Sequence, residues 1–212
     1  SAAYSPDGKT IVTASCDSSN DCNARIWDAA TGEELRQLIG HTSTVKSAAY
    51  SPDGKQIVTA SNDDTARIWD AATGEELRQL IDHGSAIYSA AYSPDGNQIV
   101  TAHNTASGGY TARIWDVATG EELHQLIGHT SVVRSAAYSP DGKQIVTTSD
   151  DGTVRIWDAA TGEELRQLIG HGSPVNSAAY SPDGKQIVTA SCDAGPHCTV
   201  RIWDAATGEE MR

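Results

Sequence analysis

The residues best suited to chemistry are histidines, serines and aspartates that recur in the same order along the chain. The three sets are His41, Ser61 and Asp63; His129, Ser149 and Asp151; and His171, Ser191 and Asp193. A hydrolase uses these residue types as base, nucleophile and orienting acid when the fold brings them within hydrogen-bond reach. The alternative is that the side chains bond to one another and hold the fold together. The elements that carry them decide between the two interpretations.

The cysteines form a second candidate site. Cys16 and Cys22 form one C-x5-C pair, and Cys192 and Cys198 form the other. If each pair stands at the two ends of a hairpin loop, its cysteines are close enough for a disulfide. Free thiols and a metal site helped by His197 are the alternatives, but two Cys and one His are too few for a closed zinc site. We therefore predict no metal and no cofactor.

Composition limits the classes of function. Of 212 residues, 38% are hydrophobic and 20% are charged, which excludes a disordered tail. Lys+Arg 15 against Asp+Glu 28 give a net charge of −13, which argues against nucleic acid and anionic membranes as partners. The apolar runs are too short for a transmembrane helix, and the first residues lack the pattern of a secretory signal. These features favour a cytoplasmic location.

The chain consists of five copies of one unit. The string SAAYSPDG starts at Ser1, Ser47, Ser89, Ser135 and Ser177, in steps of 46, 42, 46 and 42. Within a copy, Pro-Asp-Gly separates two short runs, which is the pattern of a β-hairpin, and a third run ends in RIWD. The next segment, EELRQLI, is ambiguous, because Leu77, Leu80 and Ile81 also have helical spacing. Residue types alone predict three strands and one short helix per copy.

The motifs of the copies are GH before the first strand, SPDG in the first hairpin, D-x-T in the second hairpin and RIWD in the third strand. Copies with these motifs resemble WD40 repeats, and the resemblance covers the whole chain. The resemblance implies an all-β propeller of five four-stranded antiparallel blades, with EELRQLI as the outer strand d. It implies one domain over residues 1–212, with blades at approximately 1–40, 41–82, 83–128, 129–170 and 171–212. WD40 rings usually contain more blades than five, so a homo-oligomer that completes the ring is a further expectation.

The resemblance also implies a role for the recurrent polar residues. In WD40 repeats, the GH histidine, a strand-b Ser or Thr, an Asp of the b–c turn and the strand-c Trp form a hydrogen-bonded tetrad that rigidifies the blade. The tetrads expected here are His41, Ser61, Asp63 and Trp69; His129, Ser149, Asp151 and Trp157; and His171, Ser191, Asp193 and Trp203. Blade three has His103 and Thr105 in place of the Ser and Asp, beside His83 and Trp115. We expect structural networks and no catalytic residues.

The copies differ mainly in the loops that the resemblance places on the top of the propeller, around the channel mouth. These are the d–a loops, which enter strand a, and the b–c turns CDSSNDC, NDD, HNTASGGY, DDG and CDAGPHC. Tyr88 and Tyr110 lie outside the repeated tyrosine position, and both fall on blade three. Lys46 and Arg134 lie on the neighbouring blades two and four. We expect this top face to bind a protein or peptide. Its predicted residues are Thr44, Lys46, Ala86, Tyr88, Tyr110, Val132, Arg134, Pro174 and Asn176.

Two other functions stay open at this point. An engineered or recently amplified blade array would have self-assembly into a closed ring as its main property, with no specific ligand. A lectin or an enzyme would need repeated polar pockets between blades, and in the sequence only the tetrads recur. The favoured function is a non-catalytic scaffold that binds a protein or peptide, with no nucleic-acid or membrane partner.

Overall fold

The computed structural model describes residues 1–15, 22–81, 85–105, 109–193, 195 and 197–211, without the side chains of Ser85 and Thr105. Its strands form five antiparallel sheets that follow one another along the chain, one in each repeat. We number these sheets as blades one to five and call the strands of a blade a to d in chain order. Within the described ranges, no helix has the length and apolar character that crossing a lipid bilayer requires.

The strand bounds repeat closely from blade to blade. Blade one contains β1 (Ala2–Tyr4), β2 (Thr10–Ala14), β3 (Ala24–Asp28) and β4 (Glu34–Leu38). Blade two contains β5 (Val45–Tyr50), β6 (Gln56–Ser61), β7 (Thr65–Asp70) and β8 (Glu76–Ile81). Blade three contains β9 (Ser85–Tyr92), β10 (Gln98–Thr105), β11 (Thr111–Asp116) and β12 (Glu122–Ile127). Blade four contains β13 (Val133–Tyr138), β14 (Gln144–Ser149), β15 (Thr153–Asp158) and β16 (Glu164–Ile169). Blade five contains β17 (Val175–Tyr180), β18 (Gln186–Cys192) and β19 (Cys198–Asp204), and an isolated bridge joins Trp203 to Glu210.

The ambiguous EELRQLI segment is a strand in blades one to four. In β8, Leu80 is fully buried, whereas Leu77 and Ile81 are about half exposed, at 49% and 50%. This is the alternation of a strand, and β8 pairs antiparallel with β7 along most of its length. Helix propensity alone predicted this segment wrongly, because cross-strand pairing and burial outweigh a weak local preference. The WD40 resemblance predicted it correctly.

Strands a and b are joined by a tight turn that the SPDG sequence encodes. In blade two, Asp53 Oδ1 accepts hydrogen bonds from Ser51 Oγ at 2.7 Å and from the Lys55 backbone N–H at 3.0 Å. Gly54 has φ +72°, a left-handed conformation that glycine adopts without steric strain. The turn is therefore held by local bonds, which is why it recurs in every copy.

The hydrophobic core lies between the blades. Each of four clusters combines Val, Ala, Ile and Leu side chains of one blade with Val or Ile, Ala and Trp side chains of the next. In the cluster between blades three and four, for example, Ile114 and Leu126 pack against Val133, Ile145 and Trp157, and all five are buried. Each blade therefore depends on its neighbours to bury its apolar face.

Candidate binding surface

Beneath the top loops, blade four contains a chain of four hydrogen-bonded side chains. Trp157 Nε1 donates to Thr147 Oγ1 at 2.8 Å, and Thr147 Oγ1 lies 2.8 Å from His129 Nε2. His129 Nδ1 lies 2.8 Å from Asp151 Oδ2. Because a carboxylate only accepts, a neutral His129 carries its proton on Nδ1, and the Thr147 hydroxyl donates to Nε2. Blade two repeats this chain with Trp69, Thr59, His41 and Asp63.

The hydroxyl at the centre of these chains belongs to a threonine, which corrects the expectation of a serine. The Trp Nε1 group donates to Thr59, Thr147 and Thr189, whereas the tetrads were expected to contain Ser61, Ser149 and Ser191. Ser149 Oγ instead donates to the Ser131 carbonyl at 2.9 Å and so ties strand b to the d–a loop. Both residues lie on the same face of strand b, two positions apart, so their spacing does not distinguish them. Since Trp157 pairs with Ile145, its indole meets Thr147 before Ser149.

Blade five keeps the Trp, the central Thr189 and His171, but its chain does not include the expected Asp193. His171 Nδ1 lies 3.2 Å from Thr199 Oγ1. Asp193 Oδ1 accepts a hydrogen bond from the Gly195 backbone N–H at 2.8 Å, within the longer b–c loop. The longer loop therefore uses the carboxylate for its own turn and leaves it away from the histidine.

In blade three, a histidine of strand b contacts the central threonine. His103 is fully buried, and its Nε2 lies 2.6 Å from Thr101 Oγ1, which also accepts from Trp115 Nε1 at 2.7 Å. His103 therefore makes the contact that the GH histidine makes in blades two and four, although its position in the repeat is that of Ser61. His83 and the side chain of Thr105 lie outside the described residues.

The buried chains are suited to holding the blades. The His129 side chain is only 1% exposed, and Thr147 is fully buried, so a substrate has no access to this hydroxyl. Burial lowers the pKa of His129. Burial alone would raise the pKa of Asp151, but hydrogen bonds, first from Thr153 and then from Thr130, outweigh it and lower that pKa to about 2. This geometry favours a structural role over the hydrolase interpretation.

Four of the predicted top-face residues are β-bulge residues of strand a. The pairing of β5 with β6 shifts register between Val45 and Ser47, and Lys46 is the extra residue. The same shift makes extra residues of Tyr88, Arg134 and Asn176 in blades three to five. A bulge leaves one residue out of the ladder and redirects its side chain, a device that is common beside functional sites. At all four of these bulge positions, the residue differs from copy to copy.

Three of these bulge residues meet at blade three. Tyr88 is half-buried, and the Lys46 Nζ lies 5.7 Å and the Arg134 Cζ 5.4 Å from the centre of its ring. The two cations come from blades two and four, the neighbours of blade three. We name Lys46, Tyr88 and Arg134 the cation–tyrosine cluster. Cations over an aromatic ring attract its electron-rich face.

Two residues beyond the predicted set support this cluster. Asp150 accepts from Arg134 Nε at 2.7 Å and from Nη2 at 2.6 Å, and this pairing raises the pKa of Arg134. Asn104 Nδ2 lies 3.4 Å from the Tyr88 hydroxyl. Asp150 and Asn104 occupy the same position in their repeats, so each pairs with the bulge residue of its own blade. Blade three has Tyr88 with Asn104, and blade four has Arg134 with Asp150 at the same two repeat positions. This paired change between copies is a sequence signal that could have revealed Asn104 and Asp150.

The other predicted top-face residues do not join the cluster. Tyr110 is half-buried and packs against the core between blades three and four, and its membership of one site with Tyr88 stays a prediction. Asn176 is exposed. The remaining four are half-buried, namely Thr44, Ala86, Val132 and Pro174. The backbone carbonyls of Thr44 and Val132 accept hydrogen bonds from the b–c turns of their own blades.

A disulfide joins Cys192 to Cys198 in blade five. The two residues are directly paired between β18 and β19, and their Cα atoms are 4.1 Å apart. Cys16 lies outside the described residues, so its pairing with Cys22 stays a prediction. Among the residues that the structure describes, no group of three or more His, Cys, Asp or Glu could hold a metal ion, and His197 belongs to no such group.

Clefts recur between the blades at the end opposite to the top face, a feature that the sequence alone did not suggest. One cleft, of about 780 Å³, lies between blades two and three and is lined by Asp53, Asp95 and Asp116 among others. Smaller clefts lie between other neighbouring blades. Asp95 Oδ1 accepts from Ser93 Oγ at 2.6 Å and from the Asn97 backbone N–H at 3.1 Å. These carboxylates are therefore engaged in their own turns.

Each of the five copies matches the same family profile. The WD domain, G-beta repeat, matches residues 1–28, 32–70, 74–116, 120–158 and 162–204. The chain belongs to the WD40 repeat family. Its antiparallel sheets are WD40 blades, and WD40 repeats generally serve as non-catalytic scaffolds for protein interactions. A comparison with curated proteins gave no match.

Proposed function

We propose that this WD40 chain is a scaffold that holds a protein or peptide segment on its top face, over the cation–tyrosine cluster. One observation carries the proposal: in otherwise near-identical copies, the strand-a bulge holds a different residue in each of four blades. These residues are Lys46, Tyr88, Arg134 and Asn176. Exposed framework positions do not vary in this way, since Glu33 has Glu at the equivalent position of every copy. Uniform drift of exposed residues would not produce this difference.

Tyr88 has the properties of a binding anchor. Its ring is half-buried, its hydroxyl lies near Asn104, and a cation from each neighbouring blade lies beside it. Tyrosine buries a large area on binding and loses little rotamer freedom, and such anchors typically sit near the centre of an interface. The strand-a bulge of blade three therefore offers a pre-arranged aromatic anchor.

A library of displayed random peptides, selected on the wild-type chain, tests the proposal. We expect Tyr88→Ala to weaken binding of the selected peptides by about thirtyfold, because loss of a central aromatic anchor costs about 2 kcal/mol of binding free energy. Fluorescence anisotropy of labelled peptides gives the Kd for each variant.

Tyr4→Ala is the matched control. Tyr4 is 66% exposed and lies at the opposite end of strand a in blade one, so its loss should leave the Kd unchanged. Equal affinity of wild type and Tyr88→Ala would contradict the proposal. Failure of every peptide to enrich would also contradict it and is the result expected of an array whose main property is self-assembly.

A further inference from the structure

The cation–tyrosine cluster concentrates positive charge on an acidic protein. The chain carries a net charge of −13, yet Lys46 and Arg134 both lie beside the ring of Tyr88. Asp150 compensates the charge of Arg134, but the Lys46 ammonium forms no ion pair among the described residues, so the cluster keeps a positive charge. An added anion would interact favourably with this remaining positive charge.

Arg134 is held in a fixed orientation with one nitrogen uncommitted. Its Nε and Nη2 both donate to Asp150, and this two-point contact fixes the plane of the guanidinium. In the part of the chain that the structure describes, Nη1 of Arg134 has no hydrogen-bond partner, and the side chain is 37% exposed. Nη1 is therefore a pre-oriented donor that a ligand can reach.

Lys46 provides the second donor from the other side of blade three. Its side chain is half-buried beside Tyr88, and its ammonium forms no ion pair with any carboxylate of the described residues. An ammonium on a flexible stem has three donors and can follow a ligand over a short distance. The cluster thus combines one rigid and one adaptable cation.

We propose that the cluster binds a carboxylate of its partner, the Asp or Glu side chain of an acidic peptide that crosses Tyr88. Arg134 Nη1 donates to the carboxylate, the flexible Lys46 side chain brings its ammonium toward the same group, and Tyr88 packs against the methylene groups of that side chain. Hydrogen bonds between ionised groups are about twice as strong as neutral ones, so this contact selects acidic segments. The inference rests on the proposed function and adds the class of partner.

The probe for the test is a peptide selected on the wild-type chain, with each Asp or Glu changed in turn to Asn or Gln. One such change should weaken binding to the wild-type chain by about tenfold. The same change should have a much smaller effect on Lys46→Gln and on Arg134→Gln, because one of the recognising cations is already absent. Lys55→Gln is the matched control, since it removes the same charge from a lysine that is 81% exposed at the opposite end of the blade.

The outcomes separate this inference from the proposed function. The inference is overturned if the selected peptides contain no acidic residues. It is also overturned if the amide changes weaken binding to wild type and to Lys46→Gln equally. In both cases, binding through Tyr88 still stands. Peptides that bind Tyr88→Ala as tightly as wild type would instead overturn the proposed function. Tight binding of a single-stranded DNA oligonucleotide, abolished by Lys46→Gln, would also overturn the inference in favour of a phosphate ligand.

Discussion

At the residue scale, blades four and five show how a loop changes a buried network. In blade four, the Asp151 carboxylate contacts His129, accepts a hydrogen bond from Thr153 Oγ1 at 2.7 Å and closes the b–c turn. In blade five, Asp193 stabilises its own loop, and Thr199 faces His171 instead. The same residue type at the same repeat position therefore has a different role in each blade.

This difference leads to a prediction for two matched variants. Asp151→Asn should lower the free energy of unfolding by about 1–3 kcal/mol, because it weakens a charge-assisted bond to a buried histidine. Asp193→Asn should change it by less than about 0.5 kcal/mol, because the amide oxygen can accept the same loop hydrogen bonds. Urea unfolding at neutral pH, followed by tryptophan fluorescence, measures both values.

The effect of Asp151→Asn should also depend on pH. The folded pKa of Asp151 is lowered to about 2, below its ordinary value of about 3.9 in an unfolded chain. Its stabilising contribution is therefore complete above about pH 4 and is lost as the pH falls through about 2. The difference in unfolding free energy between wild type and Asp151→Asn should shrink over this range. A difference that stays constant down to about pH 2 would contradict the role of the carboxylate.

At the scale of secondary-structure elements, the b–c hairpins close in different ways in different blades. Blade two uses a side-chain bond from Thr65 Oγ1 to Asp63 Oδ1 at 2.6 Å. Blade four adds the ion pair of Arg134 with Asp150. Blade five extends both strands and joins them by the Cys192–Cys198 disulfide. The hairpin thus tolerates changes in its loop because its two strands stay paired.

The disulfide should stabilise blade five. Replacing both Cys192 and Cys198 by Ser should lower the free energy of unfolding by about 2 kcal/mol, the value expected from loop-closure entropy for so short a loop. Urea midpoints of the oxidised wild type and of the double variant measure the difference. With reductant present, the two proteins should unfold at nearly the same urea concentration. A double variant as stable as the oxidised wild type would contradict this prediction.

Local chemistry made the first three strands of each blade and their turns predictable from the sequence, since Asp53 and Gly54 encode a hairpin by themselves. The outer strand needed the family resemblance, because Leu77, Leu80 and Ile81 also fit a helix. The central Thr147 escaped prediction because Ser149 lies on the same strand face. The bulge positions of strand a could be found as sites where the copies differ, but the contacts of their side chains depend on packing between blades, which the sequence of one repeat does not contain.

At the scale of the whole molecule, the cores between blades determine how the top-face residues meet. Each bulge residue directly follows a buried side chain of an inter-blade core. The pairs are Val45 and Lys46, Ile87 and Tyr88, Val133 and Arg134, and Val175 and Asn176. The buried residue fixes the strand against the preceding blade, and the bulge then directs its side chain out of the ladder. A variable surface is thus mounted on a nearly invariant and rigid frame.

The most direct test of binding at the top face is to map a selected peptide by amide chemical-shift changes on the isotopically labelled wild-type chain. We predict the largest changes in the bulge segments 45–47, 87–89 and 133–135, with little change in the a–b turns 53–55 and 95–97. The account would be contradicted if the largest chemical-shift changes occurred in the a–b and c–d turns and the bulge segments were unaffected.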